Sequence, residues 1–349
     1  MLSLKSQIST SSSAKTQAES QTSFRKIGAG ACGAVFAQDG KSVVFKLAKS
    51  SDNAELWNDY RMHVTIARQF QRYITDEVRV PDVYFFVPSD RESFWDKNPK
   101  LLEAAKNELN LPTAALLTER IMPLPSTTRE HLINKYCAPR IKDEAHADVA
   151  NGDCLVRVYL GSTKGKIGQM FFSLRNFKLH LNHMVDLELD TEALARGMGS
   201  ALAVLHWGAK TDARDVEFVL GSSTKKTIAT EPDMNDDEYC YTGPESDVIE
   251  DFFCRMTELF LLDFNQVRKI TMDDDGVSMA VEAWRINDPY YPKPLRQTEE
   301  EQYVWKAFLV SYLAASDEVM SLEGCKGEVL ALPRKFISRI TEVERAKIM

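Results

Sequence analysis

The sequence predicts a two-lobed α+β fold with insertions, and three observations carry that prediction. Short strand-like runs crowd the N-terminal third around a glycine-rich turn, with one long amphipathic pattern among them. Pro123 and Pro125 then break the chain. Beyond them helical patterns dominate, interrupted by short apolar runs beside acidic loops. The 349 residues therefore divide into a tail over 1–22, an N-lobe over 23–122 and a C-lobe over 123–349.

Each element has its own signal. The tail is rich in Ser, Thr and Gln and holds too little apolar surface to offset ordering, so it is expected to be disordered. It lacks the apolar run of a signal peptide. Phe24–Ile27, Ala34–Ala37 and Ser42–Ala48 read as strands, and Asp39-Gly40 is a hairpin turn between the last two. Residues 53–71 read as a helix, because Leu56, Tyr60, Val64 and Ala67 recur at helical steps. Arg79–Val87 and Ala114–Ile121 read as strands separated by a polar excursion. After the prolines, Cys154–Leu160 and Gln169–Leu174 suggest a hairpin around Gly161–Gly168. Thr191–His206 reads as a helix leading to a loop and a short strand at Phe218–Leu220. Residues 221–246 are polar and acidic, as in an insertion loop. Glu258–Asp263 reads as a strand and Glu299–Val319 as a helix.

Composition narrows the function classes. Hydrophobic residues make up 44% and charged residues 27%, and no run approaches the roughly 18 apolar residues of a membrane helix. With 43 basic against 51 acidic side chains the net charge is −8, which argues against a DNA-coating protein but leaves room for a local basic patch. Cys32, Cys137, Cys154, Cys240, Cys254 and Cys325 are scattered, and the His180/His183 pair has no neighbouring cysteine pair. No structural metal is expected from such spacing. Scattered thiols suit a reduced, cytoplasmic chain.

Three motifs carry chemistry. Gly28-Ala29-Gly30-Ala31-Cys32-Gly33-Ala34-Val35 joins two strands, which argues against a dinucleotide-binding turn that must open a helix. It resembles the glycine-rich flap of a protein-kinase N-lobe, with Gly28, Gly30 and Gly33 as the loop glycines and Lys46 as the third-strand lysine. Asp212-Ala-Arg-Asp-Val-Glu217 ends a helix and precedes an apolar strand, like a kinase catalytic loop. There Asp212 takes the place of the catalytic Asp, Arg214 of the loop lysine and Glu217 of the metal-binding Asn. Asp263-Phe264-Asn265 resembles the magnesium-holding Asp-Phe-Gly. Glu217 and Asn265 depart from the kinase pattern, and Glu217 adds negative charge where nucleotide phosphates would sit. Glu55 and Asp59 are the candidates to pair with Lys46.

The segments Asp212–Gly221, Arg157–Gly161, Phe172–Phe177 and Leu262–Gln266 also resemble a fungal family that includes arginine-containing cyclodipeptide synthases. That resemblance implies condensation of an arginyl group with a second aminoacyl group into a diketopiperazine. Both groups would arrive as charged tRNA, with no cofactor and no metal. Asp212, Asp215 and Glu217 would then form the catalytic cluster, with Asp212 as base and Glu217 holding the guanidinium. Asp263 and Lys46 would line the substrate site. Arg157, Lys164, Lys166, Arg175 and Lys178 form a basic stretch suited to tRNA phosphates. The alternatives that remain open are a catalytically silent kinase-like binding module and an atypical ATP-dependent kinase. In the plainest reading, the acidic loop only caps the following strand and the basic stretch is an ordinary solvated face.

Overall fold

The structure is a computed structural model that describes residues 23–50, 53–73, 77–168, 170–175, 177–223 and 256–348. The tail over 1–22 and most of the expected acidic insertion, together with Cys240 and Cys254, lie outside the described residues.

Phe24–Ala29 (β1), Gly33–Gln38 (β2) and Val43–Ala48 (β3) form an antiparallel meander. Gly40, at φ 86°, supplies the left-handed turn residue that the Asp39-Gly40 signal called for. Ala54–Tyr73 (α1) follows, and Val83–Val87 (β4) and Ala115–Glu119 (β5) complete one sheet in the order β1-β2-β3-β5-β4. The polar excursion before β5 in fact holds two short helices, Glu92–Lys97 (α2) and Pro99–Ala105 (α3). Their Phe94, Trp95 and Leu101 bury against Phe36, Phe45, Leu47, Phe85 and Leu117 on one face of the sheet. Three apolar residues spread over eight positions were too sparse to show as a helical period. On the opposite face α1 packs Leu56 against Ala48, Ala114 and Leu116.

Past the prolines come Ser126–Tyr136 (α4), Lys142–Ala147 (α5), Val156–Tyr159 (β6), Phe177–His180 (β7), Leu181–Asp186 (α6) and Thr191–Ala203 (α7). Glu217–Ser223 (β8) and Met256–Leu262 (β9) pair antiparallel along their whole length, giving a second sheet of order β7-β6-β8-β9. Asp274–Ile286 (α8), Glu299–Leu322 (α9) and Leu332–Ala346 (α10) close the chain. The expected hairpin around Gly161–Gly168 does not form. The pairing is parallel, with Arg157 opposite Lys178, and the partner strand begins at Phe177 instead of Gln169. The connecting segment bonds elsewhere, Gly161 N to Pro289 O at 3.0 Å and Gly168 N to Tyr136 O at 2.8 Å.

The larger core lies between α7, α9 and α10, where Trp207, Phe308, Tyr312 and Phe336 are buried. Just past α7, His206 Nδ1 and Trp207 Nε1 lie 3.1 and 3.0 Å from the Tyr312 hydroxyl. The strand order with α1 between β3 and β4, followed by a helical lobe, is that of a protein-kinase-like fold. No helix among the described residues is long and apolar enough to cross a membrane.

Gly199 sets the spacing of α7 and α9, since a Cβ there would lie 2.5 Å from Phe308 O and 3.0 Å from Tyr312 N. Alanine is the better helix former by about 1 kcal/mol, but both obstacles are backbone. Gly199→Ala is therefore expected to lower stability by about 1–3 kcal/mol in urea unfolding, as overpacked cores do.

Candidate active site between the two sheets

Lys46 points from β3 toward the second sheet. Its Nζ donates to Asp59 Oδ2 at 2.6 Å and to Asp263 Oδ1 at 2.8 Å. Burial alone would depress this amine, but the carboxylates of Asp59 and Asp263 overcome it and hold Lys46 well above its ordinary pKa. Asp59, on the inward face of α1, also accepts from Phe264 N at 3.1 Å. Of the two helix acids, Asp59 is thus the lysine's partner, and Glu55 is exposed. Asn58 adds bonds from α1 to Asn265 O at 2.9 Å and Val267 O at 3.0 Å. The loop after β9 is therefore pinned to α1 at several points just beyond Asp263.

Of the loop glycines, Gly33 has a clear spatial reason: a Cβ there would lie 2.8 Å from Leu47 O. Gly28 and Gly30 meet no such obstacle. Gly30 N bonds Gly33 O at 2.9 Å, and Lys49 Nζ reaches Gly30 O at 2.6 Å, so the flap is tied to β3.

The acidic loop divides in a way its spacing did not show. Asp212 is buried, and its Oδ1 accepts from Arg214 N at 3.1 Å and Arg268 N at 2.9 Å. Its Oδ2 accepts from Arg268 Nε at 2.6 Å. A carboxylate with those partners is a brace between two loops, which corrects its expected role as base. Asp215 and Glu217 are the residues that face Asp263. Asp215 is raised above the ordinary carboxylate range by burial and by the Asp263 charge. Its Oδ2 accepts from Gln266 Nε2 at 2.7 Å, and its own N–H donates to Asn287 Oδ1 at 2.7 Å. Glu217 opens β8 and is pushed up to about 7, first by burial and then by Asp263 and Asp215, against the opposing pull of Arg157.

Arg157 Nη2 lies 2.5 Å from Glu217 Oε1. Arg157 is therefore part of the cleft and is not free to serve as an RNA contact, which corrects its expected place on the basic face. Arg175 also turns toward a carboxylate, Asp153. Lys164, Lys166 and Lys178 remain exposed. The aromatic wall of Tyr159 and Tyr290, ring centroids 4.8 Å apart, stands close enough for the charges of Glu217 and Arg157 to act on Tyr290. The Arg157 and Asn287 contacts were invisible in sequence, because neither residue lies near the acidic loop in the chain.

Two features bear on the groups a kinase cleft holds. Met122 N donates to Ser222 O at 3.2 Å, and Ser222 N donates to Met122 O at 2.8 Å. Met122, in the chain between the lobes, thus spends both its backbone N–H and its carbonyl on β8. A magnesium ion would have to share Asp263 with Lys46 and Glu217 with Arg157. Cys32, Asp59 and Asp263 do offer ligand atoms within 4.8 Å of one another. However, Lys46 already bonds both carboxylates and burial pushes the thiol up, so this is not a ready metal site either.

A family model described as "Zinc finger protein" matches residues 259–324. That segment contains no cysteine and no histidine, so it cannot supply zinc-finger ligands. The match corrects the resemblance to arginine-containing cyclodipeptide synthases, since the matched family carries a different description and no comparison points to such synthases. No curated protein matches the chain. Among solved structures, a choline/ethanolamine kinase family protein from Mesorhizobium loti aligns over 93% of this chain and 89% of its own. Its identity is 10% and its TM-score 0.24, too loose to argue from. The kinase-like class rests instead on the strand order and on the Lys46–Asp59–Asp263 contacts.

Glu217 makes stability depend on pH. Its folded value of about 7 lies above the ordinary 4.5, so its favourable protonated state is fully present below 4.5 and is lost as pH rises through 7. The loss is on the order of 3 kcal/mol, at about 1.4 kcal/mol per unit. Glu217→Gln should flatten this part of a stability–pH profile measured between pH 4 and 8.

Proposed function

We propose that this protein is a kinase-like binding protein whose cleft takes a cationic group in place of magnesium–ATP. The observation that carries the reading is the acidic floor formed by Asp215, Glu217 and Asp263, where two of the three carboxyls are raised by burial and mutual repulsion. A guanidinium or ammonium entering beside them would relieve that repulsion and gain charge-assisted hydrogen bonds. A polyphosphate would instead add negative charge to a site that disfavours it.

Calorimetric titration tests this. Agmatine should bind the full chain, and Glu217→Gln should weaken it about 10- to 100-fold, the worth of one charge-assisted bond. ATP with magnesium should give no comparable heat. Tight ATP binding with phosphate transfer to any acceptor would contradict the reading.

Glu217 favours a second, catalytic reading. A buried carboxyl poised near neutrality suits a general base. In peptide-bond formation between aminoacyl groups carried as tRNA esters, the α-amine nitrogen attacks the ester carbonyl and the C–N bond forms. The C–O bond to the tRNA ribose then breaks. Glu217 would accept the amine's proton and pass it to the departing ribose oxygen. A second such step would close a diketopiperazine. Incubation with arginyl-tRNA and a second charged tRNA, followed by mass spectrometry, checks it. Product should form and fall about 10²–10⁴-fold in Glu217→Gln. Absence of product with every pairing would leave the binding reading alone.

A further inference from the structure

A second charged cluster joins β1 and the chain between the lobes to the segment ahead of β6. Asp153 lies at its centre with a side chain only 5% exposed. Arg25 grips this carboxylate through Nη1 and through Nη2, the latter at 2.8 Å, while its Nε bonds Asp39 Oδ1 at 3.0 Å. Two further guanidinium groups approach the same carboxylate but stop beyond hydrogen-bond distance. Arg120 Nη2 stands 3.6 Å from Oδ1, and Arg175 Nη2 stands 3.9 Å from Oδ2. Arg120 is 7% exposed. Its Nε and that of Arg175 are buried without a hydrogen-bond partner among the described residues. Native interiors seldom leave such donors unmet, and an unpaired buried guanidinium is costly. Burial and the charge of Arg25 depress Arg120 against the opposing pull of Asp153 and Asp39.

We infer that Arg120 and Arg175 form a binding site for a phosphoryl group. Asp153 has given its geometry to Arg25, so each of the two remaining forks aims one Nη2 at Asp153 from beyond hydrogen-bond distance and keeps an Nε without an acceptor. A tetrahedral oxyanion can take N–H bonds from two planar forks at once, a geometry that guanidinium groups match and ammonium groups do not. Arg25, Arg120 and Arg175 outnumber Asp39 and Asp153, so the cluster favours an added anion. This site is separate from the acidic floor and does not rest on what that floor binds. A ligand seated there would also tie the two lobes together, because Arg120 follows β5 and Arg175 precedes β7.

The test is thermal unfolding of the full chain with inorganic phosphate or methyl phosphate, against chloride and acetate at equal ionic strength. Both phosphates should raise the midpoint saturably and acetate should not. A preference for methyl phosphate indicates an esterified ligand, and a preference for inorganic phosphate a free anion; either supports the site. Arg120→Gln and Arg175→Gln should weaken the effect at least about tenfold, the loss of one charge-assisted bond. Lys178→Gln, on the exposed face, should leave it unchanged. Should Arg120→Gln fail to fold, the half-exposed Arg175 decides through its own variant. Equal stabilisation by all four anions, or a phosphate response unchanged in Arg175→Gln, overturns the inference.

Discussion

The arrangement hangs on one buried ammonium. Lys46 Nζ bonds carboxylates from α1 and from the loop after β9, so a single side chain of the first sheet fixes the helix beside it and the second sheet beneath it. Neither aspartate is isolated: Asp59 also takes the Phe264 N–H, and Asn58 secures the two backbone carbonyls further along. Ion pairs of this kind add little over an apolar replacement. Removing one member, however, leaves an uncompensated buried charge at a cost of about 3–5 kcal/mol. The cluster therefore acts chiefly as a positioning device, holding Asp263 opposite Asp215 and Glu217.

That position has a consequence for the chemistry. Three carboxyls share a partly desolvated floor with Lys46 and Arg157, and the strain is visible in the backbone as well as in the charges. Lys210, Ala213, Asp215 and Asp263 all hold positive φ although none is glycine. Such residues cost about 1–3 kcal/mol each and persist where the surrounding structure over-determines them. Here the surroundings are plain. Asn287 bonds both Ala213 O and Asp215 N, Arg268 braces Asp212, and Ile270 N bonds Lys210 O at 2.9 Å. The loop is held to present Asp215 and Glu217, while Asp212 is spent on holding it.

Much of this was legible in the sequence. The glycine-rich turn, the strands around it and the lysine of β3 follow from alternation and turn chemistry, which act over a few residues. The helix α1 follows from a clear period, and α9 from a long run with few helix breakers. The small helices α2 and α3, and the parallel partner of β6, were not legible, because short or non-local pairings leave little local signal. The same limit applied to the site. Spacing named Asp212, Asp215, Glu217 and Asp263 together, but only packing separates the brace from the floor. Arg157 and Arg175 read as a basic face because their carboxylate partners, Glu217 and Asp153, lie outside that stretch of sequence. The family resemblance to cyclodipeptide synthases went further than these residues warranted.

The central claim is that Glu217 sits on a desolvated acidic floor where a kinase would hold a metal-binding amide. The most direct measurement is the titration of its side-chain carboxyl by carbon-13 NMR, with Glu217→Gln to assign the resonance. The account predicts a midpoint near pH 7, moving down when Asp263 is replaced by Asn. A midpoint near 4.5 that ignores Asp263 would place Glu217 in solvent and contradict it.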